Sequence, residues 1–242
     1  MQARGVSYTG YKREVNQDRY LVRNLPDGLL VAVADGMGGV KGGETAAQMV
    51  IEALDNARLE VYPNQEDLSD LLLRAHGRIQ EQAELATDLE GMGTTATVAA
   101  LHGGAVYWSH VGDSRLYLLR DGHLSRISTD HTFVQDLIDD GTLSLEEASR
   151  HPLRNMLDQC VGCSTPTPEK GIFPLLAGDK LLLCTDGLTR HVSEEHIKLS
   201  LAEDPQEAAE ELAGKALSAG GKDNVTVLVL NAGDSWPSGE EA

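Results

Sequence analysis

Apolar runs of β character end in aspartate again and again in this 242-residue chain: LLVAVA-Asp35-Gly36, YWSHVG-Asp113-Ser114 and KLLLCT-Asp186-Gly187. Asp18, in NQDRYLV, and Asp223, just before NVTVLVL, stand at the opposite ends of two more such runs. Taken singly, each reads as a turn residue, since Asp-Gly is ordinary turn chemistry. Taken together they ask for more. Unpaired carboxylates are costly to bury, so several gathered at the edges of buried strands require a compensating cation. All five are oxygen donors, and no His or Cys pair with zinc spacing accompanies them, so a hard ion, Mg²⁺ or Mn²⁺, is expected. The glycines after Asp35 and Asp186 allow tight turns and let a backbone carbonyl approach a metal.

The same residues fall within a longer series of motifs. Arg13-Glu14-Val15-Asn16-Gln17-Asp18, Val33-Ala34-Asp35-Gly36-Met37-Gly38-Gly39, Gly42-Gly43-Glu44, Gly93-Thr94-Thr95, Val111-Gly112-Asp113-Ser114-Arg115, Thr185-Asp186-Gly187 and Lys222-Asp223-Asn224-Val225-Thr226 occur in that order. Each piece is weak alone, but the ordered set resembles the motif series of the PPM (PP2C-type) metal-dependent Ser/Thr protein phosphatases over nearly the whole chain. The resemblance implies that Asp35 bridges two metal ions and that the Gly36 carbonyl binds one of them. By the same resemblance Asp186 and Asp223 complete the other ion's ligands. Asp113 matches the position that, with Asp186, holds a weaker third ion in bacterial members. Asp18 is similar to a carboxylate that hydrogen-bonds metal-bound waters.

The implied reaction is direct hydrolysis of phosphoserine or phosphothreonine without a phosphoenzyme. Two divalent ions can share and acidify one water held in line with phosphorus. Arg13 offers the phosphate a planar fork of donors that Lys could not match. Two departures from the family pattern stand out. Met37 replaces a histidine that eukaryotic relatives use to assist the leaving group, and a thioether donates no proton; bacterial relatives share the DGMGG form. LDQCVG at 157–162 stands where relatives often read ITRALG, near a variable flap.

Other chemistries fit less well. GxxxxGK[ST], HRD and DFG are all absent, so the Gly-rich stretch DGMGGVKGGE is not a nucleotide loop of the P-loop or kinase type. Gly112-Asp113-Ser114 is similar to a serine-hydrolase nucleophile motif, but none of the eight histidines has Asp three residues before it. Cys160-x-x-Cys163 would be a redox pair or half a zinc site, and no second CxxC or His pair completes the latter. His131 and His151 read as structural, Thr94-Thr95 as strand packing beside the site.

The elements that must carry these residues are legible in part. Pro26-Asp27-Gly28, His102-Gly103-Gly104 and Asp121-Gly122 separate β-rich runs and predict hairpins, hence antiparallel strands. Helical spacing predicts a pair of helices over 43–60 and 66–88. Ser144-Leu145-Glu146-Glu147 opens a shorter helix. Asp204-Pro205-Gln206-Glu207 starts another that ends at Gly220-Gly221. The expected fold is α+β, with antiparallel sheets packed centrally and helices outside; the family resemblance implies two such sheets flanked by pairs of helices, a four-layer α-β-β-α sandwich. It forms one catalytic domain over 1–232, with a flexible acidic tail over 233–242.

Composition bounds the partners. The formal charge of −18 argues against nucleic acid and against anionic membrane surfaces. No apolar run approaches the roughly 18 residues of a membrane span, and the N-terminus lacks a secretory core. Three cysteines make no disulfide framework and suit a reducing compartment, so the expectation is a cytoplasmic monomer. Residues 1–34 carry five basic and three acidic side chains, a local basic segment on an acidic body. The family resemblance implies phosphorylated protein substrates of a bacterial Ser/Thr kinase. A closer likeness, to stand-alone PppA-type enzymes of type VI secretion, would imply the kinase and a phosphorylated FHA-domain scaffold as partners. The competing class is a catalytically silent binding module on the same fold, which would have no need of the full set of aspartates and Arg13.

Overall fold

The computed structural model describes residues 1–58, 62–163 and 165–233. All but Gly233 of the predicted acidic tail therefore lies outside the described residues. One sheet contains β1 (Gln2–Tyr8), β11 (Val225–Asn231), β10 (Lys180–Cys184), β7 (Arg115–Arg120) and β8 (His123–Arg126), in that spatial order. The second contains β2 (Asp18–Leu25), β3 (Gly28–Met37), β5 (Ala96–His102), β6 (Ala105–Val111) and β9 (Glu169–Pro174). A two-residue strand, β4 (Gly93–Thr94), pairs with the end of β3. Every pairing is antiparallel, and all three predicted hairpins close where expected, pairing Leu25 with Gly28, His102 with Ala105 and Arg120 with His123.

Side chains alternate across each strand, so a strand lying between two apolar layers must be apolar at every position. On β3, Leu29, Val31 and Val33 face the core between the sheets, while Leu30, Ala32 and Ala34 face the helices outside. On β11, Leu228 and Leu230 point inward, and Val225, Val227 and Val229 point to the other helical layer. The outer layers are α1 (Gly39–Asp55) with α2 (Gln65–Leu85) on the second sheet, and α6 (Glu194–Ser200) with α7 (Pro205–Ser218) on the first. This is the four-layer α-β-β-α arrangement that the family resemblance implies, built on the antiparallel strands expected from the hairpins. Three short helices lie between strands: α3 (Phe133–Asp139), α4 (Leu145–Arg150) and α5 (Asp186–Thr189).

Capping chemistry sets the helix ends. Asn64 accepts from the backbone of Glu66 and Asp67, and Asp67 reaches back to Asn64 N, a reciprocal box that opens α2. Ser144 and Glu147 do the same for α4, and Asp204 with Pro205 at the first position opens α7. The first helix departs from expectation at both ends. It begins at Gly39 instead of residue 43 and ends at Asp55, where Asn56 caps the last turn through Glu52 O. The glycines at its start are poor helix formers but permit close packing. A Cβ at Gly36 would sit 2.1 Å from the carbonyl oxygen of Gly43, and one at Gly43 would lie 2.6 Å from the Gly36 carbonyl carbon. Backbone lies on backbone there, which fixes where β3 turns into α1.

Candidate metal centre

The two sheets bring all five aspartates to one end of the sandwich. Asp18 at the start of β2 lies directly opposite Asp35 near the end of β3. Asp113 follows β6, Asp186 opens α5 directly after β10, and Asp223 precedes β11. A cleft of about 760 Å³ opens above them, lined by Arg13, Asp35, Asp113, Asp186, Arg190 and Asp223 among others, with Gly36 and Met37 in its wall.

Threonines hold the carboxylates in place. Thr185 and Thr226 of the first sheet donate to Asp18 Oδ2 of the second at 2.9 and 2.8 Å, tying the two sheets together beneath the cleft. Behind Thr226 lies Ser7 Oγ at 2.8 Å, which accepts from Asn16 Nδ2 at 2.8 Å. On the other side, Thr95 Oγ1 accepts from Asp35 N, while Thr95 N and Thr94 Oγ1 both donate to Asp35 O. Thr94-Thr95 thus clamps the backbone of Asp35, a more specific task than strand packing.

The cluster carries more negative charge than the protein itself compensates. Burial, then the charge of Asp18 and the other aspartates, pushes the Asp35 carboxyl well above the usual carboxylate range. Burial followed by Asp113 does the same to Asp186, against the pull of Arg190. Asp18 is pushed up to about 6, burial outweighing the hydrogen bonds from Thr226 and Thr185. Two buried oxygens, Asp18 Oδ1 and Asp186 Oδ1, have no hydrogen-bond partner. Orphaned acceptors inside a group of carboxylates are what a bound cation relieves, and an all-oxygen donor set fits a hard divalent ion.

Two guanidinium groups stand at the rim. Arg13, half exposed, pairs with Asp223 through Nε–Oδ1 at 2.8 Å and Nη2–Oδ2 at 3.0 Å. The residue expected to face phosphate is thus anchored, in this structure, on an expected metal ligand. Arg190 had no place in the sequence argument. Its guanidinium pairs with Asp186, lies 3.4 Å from Asp223 Oδ2 and reaches within 3.7 Å of Asp113 Oδ2. The available signal was its position four residues after Asp186, one helical turn onward from an Asp-Gly that opens a helix.

Other singled-out residues lie outside the cleft. His110, His131 and Glu169 offer ligand atoms within 4.8 Å of one another. However, both ring nitrogens of His110 are committed, to Thr97 Oγ1 and Gly112 O, and His131 Nδ1 accepts from Gly112 N. These bonds brace the turn at Gly112, whose φ of 111° suits glycine, and so position Asp113. His151 stacks obliquely near Phe133. Cys160 and Cys163 form a disulfide packed against Gly93, which fits the redox-pair reading of the CxxC and not the half zinc site; Cys184 is free and buried. The intervening Val161 bridges to Thr94, so the disulfide lies one residue from the clamp on Asp35.

Comparison with known proteins agrees with this geometry. Residues 9–218 match the family model described as Protein phosphatase 2C. The serine/threonine protein phosphatase PstP of Mycobacterium tuberculosis is 44% identical over 229 residues, covering 90% of this chain and 44% of PstP. This chain thus spans less than half the length of that relative. The crystal structure of the PstP catalytic domain in complex with two manganese ions superposes with a TM-score of 0.83 at 39% identity, over 94% of this chain and 96% of that one. PppA, a key regulatory component of the type VI secretion system in Pseudomonas aeruginosa, superposes with a TM-score of 0.81 at 31% identity, over 96% of this chain and 98% of that one. A family model over most of the chain and a relative at 44% identity agree, and the chain belongs to the protein phosphatase 2C family.

Proposed function

We propose that this chain hydrolyses phosphoserine and phosphothreonine esters in proteins, using two divalent ions, Mn²⁺ or Mg²⁺, held by its aspartates. The observation that carries the reading is the convergence of four carboxylates lining an open cleft with that of Asp18 buried beneath them, Asp18 and Asp186 each with an orphaned buried oxygen. Asp35 and the Gly36 carbonyl, with Asp186 and Asp223, would hold the two ions, and Asp113 with Asp186 a weaker third. When bound, the ions supply Lewis acidity, lowering the pKa of water and drawing charge from the phosphoryl oxygens. PstP with two manganese ions supports that choice of metal.

The chain's own side chains do the positioning. Asp18 is fixed through Oδ2 by two threonines, which leaves Oδ1 free to accept a hydrogen bond from the attacking water. Arg13, at the rim, would turn from its pair with Asp223 to offer its fork to the phosphate of an incoming phosphopeptide. Met37 lines the cleft and, among the described residues that line it, none is a histidine; its thioether donates no proton, and a water held by the ions would supply the proton for the leaving alkoxide. The substrates are phosphoproteins made by a Ser/Thr kinase, handled by a single catalytic domain over 1–232. No helix among the described residues is long and apolar enough to cross a membrane. A narrower reading, a kinase and an FHA-domain scaffold of type VI secretion as substrates, is favoured by the likeness to PppA.

The test is hydrolysis of a phosphothreonine peptide by purified protein with Mn²⁺, with Asp35→Asn and Asp186→Asn as controls. Activity that both variants abolish is expected. An inert wild type, or variants that keep full activity, would refute the mechanism and favour the silent binding module.

A further inference from the structure

Among the described residues that line the cleft, Arg190 pairs with three of the five aspartates, and it plays no part in the function proposed above. It projects from α5 back over Asp186, four residues earlier, and its two terminal nitrogens also approach Asp113 and Asp223. Its side chain remains about one-third exposed, so it is free to swing toward solvent. Three elements converge on it: the turn after β6, the start of α5, and the turn before β11. Its contacts are to Oδ2 of Asp113, Asp186 and Asp223, the last shared with Arg13, while Asp186 Oδ1 stays without a partner; a divalent ion drawing on both oxygens of these carboxylates would meet the guanidinium at contact distance. A guanidinium and a divalent cation cannot both take the same lone pairs, because each would have to sit within contact distance of them.

We infer that Arg190 is a built-in competitor for the divalent ions, a resident cation that occupies the carboxylates in the metal-free protein, is displaced on loading, and thereby sets metal affinity. The inference rests on the reading of the cluster as a metal centre. Its physical content is a trade between two states. Without metal, Arg190 offsets part of the repulsion among Asp113, Asp186 and Asp223, so it stabilises the empty fold. With metal, the ions supply that charge and the guanidinium must give up its contact with Asp186, so the same pairing counts against binding. A residue that merely supported the fold would affect both states alike. Competition demands opposite signs.

The experiment is calorimetric titration of Mn²⁺ into chelator-treated wild type, Arg190→Gln and Arg190→Lys, together with thermal unfolding of each metal-free protein. Arg190→Gln is expected to bind Mn²⁺ about tenfold more tightly, the scale of one part-buried ion pair, while its metal-free Tm falls. Arg190→Lys, which keeps the charge but loses the planar fork, should fall between the two in both measurements. If Arg190→Gln does not fold without metal, the Lys variant carries the same pair of signs against wild type. Equal or weaker Mn²⁺ binding by the variants, or an unchanged metal-free Tm, overturns the inference while leaving the metal centre standing. Absence of Mn²⁺ binding to the wild type overturns both.

Discussion

Thr226→Val removes one hydroxyl from beneath the cleft and replaces it with a methyl group of nearly the same size. Thr226 is fully buried, donates to Asp18 Oδ2 at 2.8 Å and has Ser7 Oγ at the same distance. Since its single proton goes to a carboxylate, Ser7 must donate to it. The substitution therefore takes a charge-assisted bond from Asp18, worth about 1.5–3 kcal/mol, and leaves the Ser7 hydroxyl without its acceptor, at about 1 kcal/mol. The first cost depends on pH and the second does not. Asp18 titrates near 6 in the folded protein against an ordinary carboxylate in the unfolded chain. A folded pKa raised in this way means stability present at low pH and lost as pH rises through about 6. Removing the donor raises the folded pKa further and enlarges that loss. At pH 5, where Asp18 is already mostly protonated, the penalty should be about 1 kcal/mol; at pH 8 it should reach about 3 kcal/mol. Urea unfolding of the metal-free protein, followed by circular dichroism at both pH values, measures the difference. A penalty equal at pH 5 and pH 8 would refute the assignment of Thr226 as a support for ionised Asp18.

Two further outcomes follow from the same cluster and its supports. Asp18, Asp35 and Asp186 all have raised carboxyl pKa values, so the Tm of the metal-free protein should fall between pH 5 and pH 8 while Mn²⁺ affinity rises as protons stop competing; thermal scans and titrations across that range check both signs. Gly43→Ala should cost about 1–3 kcal/mol and weaken Mn²⁺ binding as well, because the new methyl group would push α1 away from Gly36; full metal affinity in a destabilised variant would mean that this contact serves the fold alone.

Sequence showed much of this architecture because the informative signals were local. Asp-Gly and Gly-Gly turns specify hairpins within a few residues, and Asn64, Ser144 and Asp204 act on backbone groups two or three positions away. The five aspartates were legible as a set because each sits at the end of an apolar run. What escaped was long-range or against propensity. The start of α1 at Gly39 was hidden because four glycines argue against a helix, while one of them, Gly43, is required by backbone contact with Gly36 and two others, Gly38 and Gly42, lie close against Met92. The donors to Asp18 come from residues 167 and 208 positions away, and Ser7, Thr185 and Thr226 have no spacing that links them. Arg190 was one basic residue among twenty until the fold placed it over three carboxylates. The Cys160–Cys163 bridge was one of two readings the CxxC spacing left open, since counting cysteines does not decide how two that a short turn holds 5.6 Å apart at Cα are used.

The account stands or falls on whether the aspartate cluster binds two metal ions. An anomalous-scattering map from a crystal soaked in Mn²⁺ measures this directly. Two strong peaks are predicted, both within coordination distance of Asp35, with one also bound by Asp186 and Asp223 and the Arg190 guanidinium moved off Asp186. A map without a peak beside Asp35 would contradict the central claim.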